Sequence, residues 1–390
     1  MSKVRVLRVQ SRICVGGPAL NTILLSAYLP KDRFETMLVG GRLEPDEKDR
    51  NQFAREKGVE IKIIEEMGRS VKLGDDWRAL RRMMALIKEY KPHIVHTHTA
   101  KAGAIGRLAA FLCRVPLRVH TFHGHVFHGY FSALVSYGFV MVERVLSLMS
   151  HAIIAISPRQ QRDLTRMYRV VGNEKCHVVR LGFELSNIEA GQPGYFRKKL
   201  GLGKDVKLAG IVARLAPIKN HALLLDAIAA WRKLPHHEDN VRFLIIGDGD
   251  LRQQLEQQAR DLQIDDVVIF TGWQTDVADI YADLDLNLLV SNNEGTPVTL
   301  IEGLACGVPV LSTDVGGVRD FVEDHMGIIV SPGEEPDVIA GHIQTMLNRG
   351  RLSEEDRAQI RKGYDVSRLV SDVAGLYEEL IKEKEIKISD

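Results

Sequence analysis

Short apolar runs rich in valine and isoleucine alternate with amphipathic stretches of helical length along the whole chain. The runs predict β-strands, and the stretches between them predict helices. Runs of this kind are typical of parallel strands buried on both faces by helices. A single barrel would use eight similar units, whereas about thirteen strands favour two doubly wound α/β domains.

The predicted strands fall into two groups along the chain. They are Val4–Val9, Thr36–Val39, Ile61–Ile64, Ile94–His98, Leu117–His123, Ala152–Ile156 and Val178–Leu181 in the first half, and Leu208–Ala213, Phe243–Ile246, Val267–Thr271, Leu286–Val290, Pro309–Ser312 and Gly327–Val330 in the second.

The 390 residues suit two domains of ordinary size. A polar segment with glycine and proline, Glu184–Gly194, lies between the two groups of strands and predicts a linker. We place an N-terminal Rossmann-like domain at residues 1–187 and a C-terminal Rossmann-like domain at residues 188–366. Residues 367–390 contain a strongly helical tail, which is expected to pack back on the N-terminal domain.

Charge is divided unevenly between the halves, although the net charge of the chain is only +1. Residues 1–190 contain 30 Lys+Arg and 18 Asp+Glu, a balance of +12, and the remaining residues have a balance of −11. Such asymmetry favours an anionic partner for the first half, and surface charge without a function is the alternative.

The composition of the chain is typical of a soluble globular protein. No stretch reaches about 18 uncharged apolar residues, so no transmembrane helix is predicted, and the N-terminus lacks the apolar core of a signal peptide. The four cysteines have neither metal-type nor disulfide-type spacing. We expect a cytoplasmic protein without a nucleic-acid partner, and peripheral association with the inner face of the cell membrane is the alternative location.

Two glutamates, Glu294 and Glu302, bracket a segment in which a strand leads into a helix. The helix is predicted from Val298 to Cys306, with Pro297 at its first position, where the missing N–H would have no partner anyway. Glu294 then lies in the loop, and Glu302 lies about 7 Å along the helix. The helix N-terminus attracts anions. Carboxylates on either side of it would accept hydrogen bonds from hydroxyls flanking a bound phosphate, which is the layout of a nucleotide sugar.

Two cations, Arg214 and Lys219, follow the first strand of the second half. A lysine in the first turn of a helix is electrostatically unfavourable, so this placement indicates an anion bound between the two side chains. A pair of solvated surface charges is the alternative.

Acidic pairs in the second half have the spacing of metal ligands, but their positions favour structural roles. Asp248 and Asp250 suit a turn and a helix N-terminus, and Asp283 and Asp285 flank the start of a strand. No metal is expected, because Arg214 and Lys219 would neutralise a diphosphate by themselves.

Glycines and histidines occupy the corresponding strand ends of the first half. Gly16 and Gly17 follow the first strand, where the backbone can approach a ligand closely or simply turn. His96 and His98 alternate on another strand and so share one face. A cluster of histidines at the end of the Leu117–His123 strand favours a catalytic site over zinc, since no carboxylate or thiol accompanies it. The cluster comprises His120, His123, His125 and His128.

A mostly apolar helix is predicted over Ser132–Met149. Burial in the core is the favoured interpretation, and contact with a membrane surface is the alternative.

Six motifs in this order make the chain similar to the retaining glycosyltransferases of family 4, which have the two-domain GT-B fold. They are the Gly16-Gly17 loop, the His123-Gly124 step, the Arg214 and Lys219 pair, the Gly247-Asp248-Gly249 turn, the two glutamates eight residues apart, and Gly316-Gly317 after a strand. The resemblance covers nearly the whole chain. It implies two Rossmann-like domains that face each other across a cleft.

The resemblance also implies roles for individual residues. Arg214 and Lys219 would hold the donor diphosphate, Glu302 the ribose and Glu294 the transferred sugar, with His123 near that sugar. The implied catalytic residues are Glu294, His123, Arg214 and Lys219. The implied donor-binding residues are Gly16, Gly17, Arg214, Lys219, Gly247, Gly295, Thr296, Pro297, Val298, Thr299 and Glu302. Thr296 departs from the family pattern, which often has a bulky apolar residue there.

The activity implied by the resemblance is metal-independent, retaining transfer from a nucleotide sugar, with a UDP-sugar as the expected donor and no cofactor. The acceptor is expected to be a glycan or glycolipid, lipid-linked or part of the cell envelope. The basic first half is expected to face this acceptor and to meet an anionic membrane surface. Two alternatives stay open: a nucleotide-sugar epimerase of the same fold, and a non-catalytic nucleotide-sugar-binding subunit.

Overall fold

The structure is a computed structural model, and it describes residues 2–388 except positions 15, 45–48, 69, 125, 126, 128–131, 236 and 275. Two compact units divide the chain. The first comprises Met1–Phe183 and Tyr364–Asp390, and the second comprises Glu184–Gly363.

The first unit is built on a seven-stranded sheet in the order β3-β2-β1-β4-β5-β6-β7, and all of its strand pairs are parallel. The strands are β1 (Val4–Arg12), β2 (Phe34–Gly41), β3 (Ile61–Ile64), β4 (Ile94–His98), β5 (Leu117–Phe122), β6 (Ala152–Ala155) and β7 (Cys176–Val178). The helices are α1 (Gly17–Tyr28), α2 (Asn51–Glu56), α3 (Leu73–Tyr90), α4 (Ala100–Leu112), α5 (Ala133–Leu148) and α6 (Pro158–Arg162).

The second unit is built on a six-stranded parallel sheet in the order β10-β9-β8-β11-β12-β13. Its strands are β8 (Lys207–Val212), β9 (Val241–Ile246), β10 (Val268–Gly272), β11 (Leu286–Leu289), β12 (Val310–Thr313) and β13 (Gly327–Val330). Its helices are α7 (Leu185–Glu189), α8 (Tyr195–Lys199), α9 (His221–Arg232), α10 (Arg252–Asp261), α11 (Ala278–Asp283), α12 (Val298–Ala305), α13 (Pro336–Met346) and α14 (Glu354–Tyr364).

The last helix, α15 (Val366–Glu383), belongs to the first unit. Its apolar side packs with residues of β1, β4 and β5, and the buried ring of Tyr377 lies among them. The chain passes from the first unit to the second after Phe183 and returns at Tyr364, and the Phe183 N–H donates to the Tyr364 carbonyl at 2.8 Å. The boundaries predicted from the sequence were 187/188 and 366/367.

The prediction of two doubly wound parallel α/β domains is confirmed. The described part of the chain holds thirteen strands, and each overlaps a predicted one. The last strand of the first half was misplaced at Val178–Leu181. The ladder of β7 covers only Cys176–Val178, because its partner β6 ends at Ala155, whose carbonyl accepts from the Val179 N–H at 2.9 Å.

Helices cover both faces of each sheet, so that the strands are buried on both sides. In the first unit Val6 packs toward α15 and Leu7 packs toward α3 and α4, as the alternation of side chains along β1 requires. No helix in the described residues is long and apolar enough to cross a membrane.

Helix α5 differs from the sequence-based interpretation as a core helix. One of its faces is exposed and apolar, with Leu134 and Leu148 among the most exposed residues on it. The opposite face is buried and carries Glu143, whose Oε2 accepts a hydrogen bond of 2.6 Å from Arg107 of α4. The interpretation as core was wrong for the outer face, because the polar contacts of Glu143 fix that side of the helix inward.

The buried Arg107–Glu143 pair provides a test of how the first unit is held together. Both side chains are excluded from solvent, so Glu143→Gln leaves a buried guanidinium without its counter-charge. We expect it to lower the free energy of unfolding by about 3–5 kcal/mol, measured by urea unfolding followed by far-UV circular dichroism.

The matched control is Glu378→Gln, which removes the carboxylate of the exposed Arg33–Glu378 pair of the same unit. Exposed pairs contribute about 0–1 kcal/mol, so this control should change stability little. Equal losses for the two variants would show that the internal pair is not a significant source of stability.

Candidate active site

The sheet of the second unit reverses its strand order between β8 and β11, which are hydrogen-bonded neighbours. In open parallel sheets ligands bind outside the carboxyl ends of the strands at such a switch point. Arg214 and Lys219 follow β8, and Glu294 follows β11. The topology therefore brings together residues that are about 75 positions apart in the sequence.

Lys219 and Glu294 form an ion pair. The Lys219 Nζ donates to Glu294 Oε1 at 2.5 Å, and the Ser291 hydroxyl donates to the same oxygen at 2.7 Å. Lys219 ends a 3₁₀ turn, Pro217–Lys219, that directly precedes α9. The sequence predicts an external anion that offsets this placement, whereas in the structure the carboxylate of Glu294 offsets it.

Arg214 is exposed in the loop that follows β8, and it has no ion-pair partner among the described residues. A guanidinium offers several N–H donors in a planar fork that suits phosphate oxygens. Arg214 is therefore the free cation of this site, and Lys219 is a cation already tied to the loop it faces.

Close backbone contacts hold the loops at this edge. A Cβ on Gly316 would lie 2.1 Å from the Gly295 carbonyl oxygen, and the Gly317 N–H donates to that oxygen at 2.8 Å. Likewise, a Cβ on Gly247 would lie 2.0 Å from the Ala213 oxygen. These glycines let the loops after β9 and β12 pack directly against the loops that carry Arg214 and Glu294.

The segment from Gly295 to Thr299 leads into α12. Pro297 was predicted to be the first residue of the helix. In the structure its backbone is still extended, so it is the N-cap residue just before the helix. Val298 begins the helix, and Thr299 lies in its first turn. The hydroxyl of Thr296 is buried and has no hydrogen-bond partner in the described residues, so a polar group is available at the helix N-terminus.

Glu302 lies in α12 as predicted, and its Oε2 accepts a hydrogen bond of 2.9 Å from the Tyr281 hydroxyl. Burial and the neighbouring Glu302 charge raise the pKa of Tyr281 well above its usual value, so this phenol stays protonated and donates. The sequence did not reveal Tyr281, which precedes Glu302 by 21 residues on another helix.

The acidic pairs of the second unit have structural partners. Asp248 accepts from the Gly249 N–H at 2.8 Å. Asp283 accepts from the Gly194 N–H at 2.5 Å, and Asp285 accepts from the Arg197 guanidinium and the Leu208 N–H, both at 2.8 Å. Asp250 is exposed in the turn before α10. Within the described residues, no group of three or more His, Cys, Asp or Glu could hold a metal ion.

The sheet of the first unit has its own switch point, between β1 and β4. Gly16 follows β1 with a φ of 155° and caps α1, which begins at Gly17. His98 is the last residue of β4, and His123 follows β5, the next strand. The predicted glycine and histidine loops thus lie at neighbouring strand ends of one sheet.

His98 and His123 share a hydrogen bond of 2.9 Å between His98 Nδ1 and His123 Nε2, and their rings stack. Burial lowers the pKa of His123 to about 3 and that of His98 well below its usual value, so both are neutral at pH 7. The Nδ1 of His123 is buried and has no hydrogen-bond partner among the residues that the structure describes. His98 was noted in the sequence only for the face it shares with His96.

The other histidines have different surroundings. His96 bonds the Tyr377 hydroxyl at 2.6 Å and the Thr121 hydroxyl at 2.7 Å, which makes it part of the packing under α15. His120 bonds Thr97 at 2.8 Å on the opposite face of the sheet. His125 and His128 lie outside the described residues.

Comparison with known proteins places both units. The family model "Glycosyltransferase Family 4" matches residues 15–187, and the model "Glycosyl transferases group 1" matches residues 195–365. Together the two models cover most of the chain.

Curated relatives align along nearly the full length. The UDP-Gal:alpha-D-GlcNAc-diphosphoundecaprenol alpha-1,3-galactosyltransferase of Escherichia coli is 25% identical over 98% of this chain and 99% of its own. The putative glycosyltransferase EpsF of Bacillus subtilis is 27% identical over 96% of this chain and 97% of its own.

The crystal structure of Anabaena Alr3699/HepE in complex with UDP superposes with a TM-score of 0.78 at 22% identity, over 96% of this chain and all of that one. The chain therefore belongs to the group 1, family 4 glycosyltransferases of GT-B fold, and its reaction is the transfer of a sugar from a nucleotide-sugar donor.

Proposed function

We propose that the protein transfers a sugar from a UDP-sugar to a hydroxyl of a lipid-linked glycan acceptor, with retention of anomeric configuration and without a metal ion. The proposal is based on the group that Arg214, Lys219, Glu294 and the α12 N-terminus form at the carboxyl ends of β8 and β11. It combines a free guanidinium, a tethered ammonium and a helix dipole with a carboxylate that accepts hydrogen bonds.

The donor would lie along this edge of the sheet with its ribose at Glu302 and its sugar at Glu294. The ribose hydroxyls would bond Glu302, which Tyr281 already orients at 2.9 Å. The diphosphate would lie between Arg214 and the first turn of α12, where Thr296 and Thr299 offer hydroxyls. The sugar would reach Glu294, and the backbone of Gly247 and Gly295 would line the approach.

The reaction breaks the bond between the sugar C1 and the diphosphate oxygen and forms a bond from C1 to the acceptor oxygen. Negative charge develops on the departing diphosphate, and Arg214, Lys219 and the α12 dipole would stabilise it. The acceptor hydroxyl would pass its proton to the departing phosphate oxygen on the same face of the sugar, so the configuration at C1 is kept. No protein nucleophile is needed.

The neutral state of His123 suits a role as a hydrogen-bond partner of a sugar hydroxyl. Because the His123 Nε2 is engaged with His98, the Nδ1, which has no partner within the described part of the chain, is the atom that would bond a ligand. Gly16 and Gly17 would pass close to the phosphate and acceptor, since a glycine with φ of 155° permits close backbone approach.

The choice of donor and acceptor is supported by the proteins that this chain resembles. The Escherichia coli relative is a galactosyltransferase for UDP-Gal and a diphosphoundecaprenol-linked acceptor, and the Anabaena structure contains UDP. A lipid-linked acceptor would place the protein at the cytoplasmic face of the cell membrane as a peripheral protein.

Removal of the Arg214 guanidinium tests the diphosphate site. We expect Arg214→Ala to weaken UDP binding roughly ten- to a hundredfold, because a charge-assisted bond to phosphate contributes about 1.5–3 kcal/mol. Isothermal titration calorimetry measures the affinity. The control Arg232→Ala removes an exposed arginine of the same unit, paired with Asp266 on the surface, and should bind UDP normally. Unchanged affinity in Arg214→Ala would refute the phosphate role.

The close contact at Gly316 gives a second test. Gly316→Ala would push a Cβ against the Gly295 carbonyl and shift the loop that carries Glu294. We expect a loss of roughly tenfold or more in kcat/KM, since small displacements of positioning groups are costly. The control Gly333→Ala also has a positive φ, of 78°, but meets nothing within 4 Å. If both variants fall equally, backbone strain rather than loop position is responsible.

Metal independence and retention are tested together on the reaction product. Transfer from UDP-galactose or UDP-glucose should proceed at an unchanged rate in EDTA, and NMR of the product should give the anomeric configuration of the donor. A strict requirement for Mn²⁺, or an inverted product, would contradict the proposed mechanism.

A further inference from the structure

The exposed face of α5 is not explained by donor binding or catalysis. It is covered by the apolar side chains of Leu134, Tyr137, Met141, Val142, Val145 and Leu148, all of which are exposed. Leu134, Tyr137, Met141, Val145 and Leu148 follow one another at steps of three or four residues. They therefore form one stripe along a helix that is about 24 Å long.

Both faces of α5 carry apolar residues, unlike those of an ordinary amphipathic helix. Its buried side carries Ser136, Glu143 and Ser147 beside Val140 and Leu146, and its exposed side carries the six large apolar residues. Glu143 is held inward by Arg107, and the Ser147 hydroxyl bonds the Val170 carbonyl at 2.6 Å. These bonds fix the rotation of the helix, so the apolar side faces outward in the folded unit. Contiguous exposed apolar surface of this kind marks an interaction site.

The apolar surface continues onto the end of α4. Phe111 and Leu112 are exposed, and the Arg118 guanidinium lies 5.7 Å from the Phe111 ring. Arg118 Nε also donates to the Met149 carbonyl at 2.5 Å, directly after α5. Phe111 is therefore near the carboxyl end of α5, and we call α5 together with these two residues the α5 surface.

Arginines lie beside the α5 surface. The Arg144 guanidinium bonds the Tyr168 carbonyl at 2.7 Å, which ties the segment after α6 to the side of α5. Arg166 and Arg169 on either side of Tyr168 are exposed. Residues 111–180 contain nine Lys+Arg and three Asp+Glu, and one of those acids, Glu143, is buried in its ion pair.

We infer that the α5 surface docks on a lipid bilayer that contains anionic lipid. An apolar helix face suits the boundary between headgroups and acyl chains, and the arginines suit the phosphates of anionic headgroups. A second copy of the chain fits less well, because a two-fold contact would bring the two arginine rims together. The inference rests on the proposed function in that a lipid-linked acceptor gives the protein a reason to reside at a membrane.

Vesicle flotation tests the inference, with phosphatidylglycerol–phosphatidylcholine vesicles compared with pure phosphatidylcholine at low and high salt. The wild-type protein should bind the anionic vesicles most strongly at low salt. The double variant Leu134→Ser/Leu148→Ser should bind at least roughly tenfold more weakly, because two leucines no longer enter the lipid. Arg166→Ser/Arg169→Ser should weaken binding at low salt by about fivefold per arginine.

The matched control is Leu73→Ser. Leu73 is 86% exposed, comparable with 82% for Leu134 and 79% for Leu148, but it begins α3 beside Asp75 and Asp76. This variant should bind vesicles like the wild type. Retained UDP-dependent thermal stabilisation in every variant shows that each one is folded and that its donor site is intact.

The outcomes separate this inference from the proposed function. Failure of the wild type to bind anionic vesicles, or equal binding by the leucine double variant, would overturn the α5 surface while leaving sugar transfer to a water-soluble acceptor intact. A wild-type dimer in light scattering that the leucine substitutions dissolve would overturn it in favour of a second copy. Vesicle binding without any nucleotide binding would instead refute the proposed transferase and leave the membrane surface in place.

Discussion

Parallel pairing of every strand in both sheets is the constraint on which the site depends. Parallel strands all run in the same direction, so each is joined to the next by a crossover connection, and their carboxyl ends meet at one edge of the sheet. The reversal of strand order then opens a position between β8 and β11, and another between β1 and β4. Residues as distant in sequence as Lys219 and Glu294 become hydrogen-bond partners for this reason, without any local sequence signal linking them.

Within that frame the site is organised by contacts that the protein makes with itself. Glu294 accepts from Lys219 and Ser291, so its carboxylate is oriented before any ligand arrives. Gly316 has room for no side chain against the Gly295 carbonyl, which holds the neighbouring loop from the other side. Oriented groups of this kind lose little freedom on binding, and that loss is what weakens affinity in flexible sites. Arg214, exposed and without an ion-pair partner in the described chain, supplies the charge that remains uncompensated.

The sequence predicted the strands well because a buried parallel strand has a local signature, a short run of branched apolar residues. The order of the strands within each sheet has no such local signature. The end of β7 was misplaced because the length of its partner β6 decides where pairing stops. Glu302 was found by its spacing in a helix, whereas Tyr281, which orients it, lies 21 residues earlier and looks like any core tyrosine. Likewise, His98 resembled an ordinary strand residue until β5 placed His123 within 2.9 Å of it.

The orientation of helix α5 about its own axis could not be predicted from its sequence. Its apolar composition favours burial, and nothing in its own sequence says which side faces the sheet. That decision comes from Arg107, 36 residues earlier on α4, which needs a carboxylate once it is buried. Breaking a buried ion pair costs about 3–5 kcal/mol, so the Arg107–Glu143 pair opposes any rotation of the helix that would carry Glu143 to the surface. The polar contacts therefore turn Glu143 inward, and the apolar stripe is left facing outward as surface available for binding.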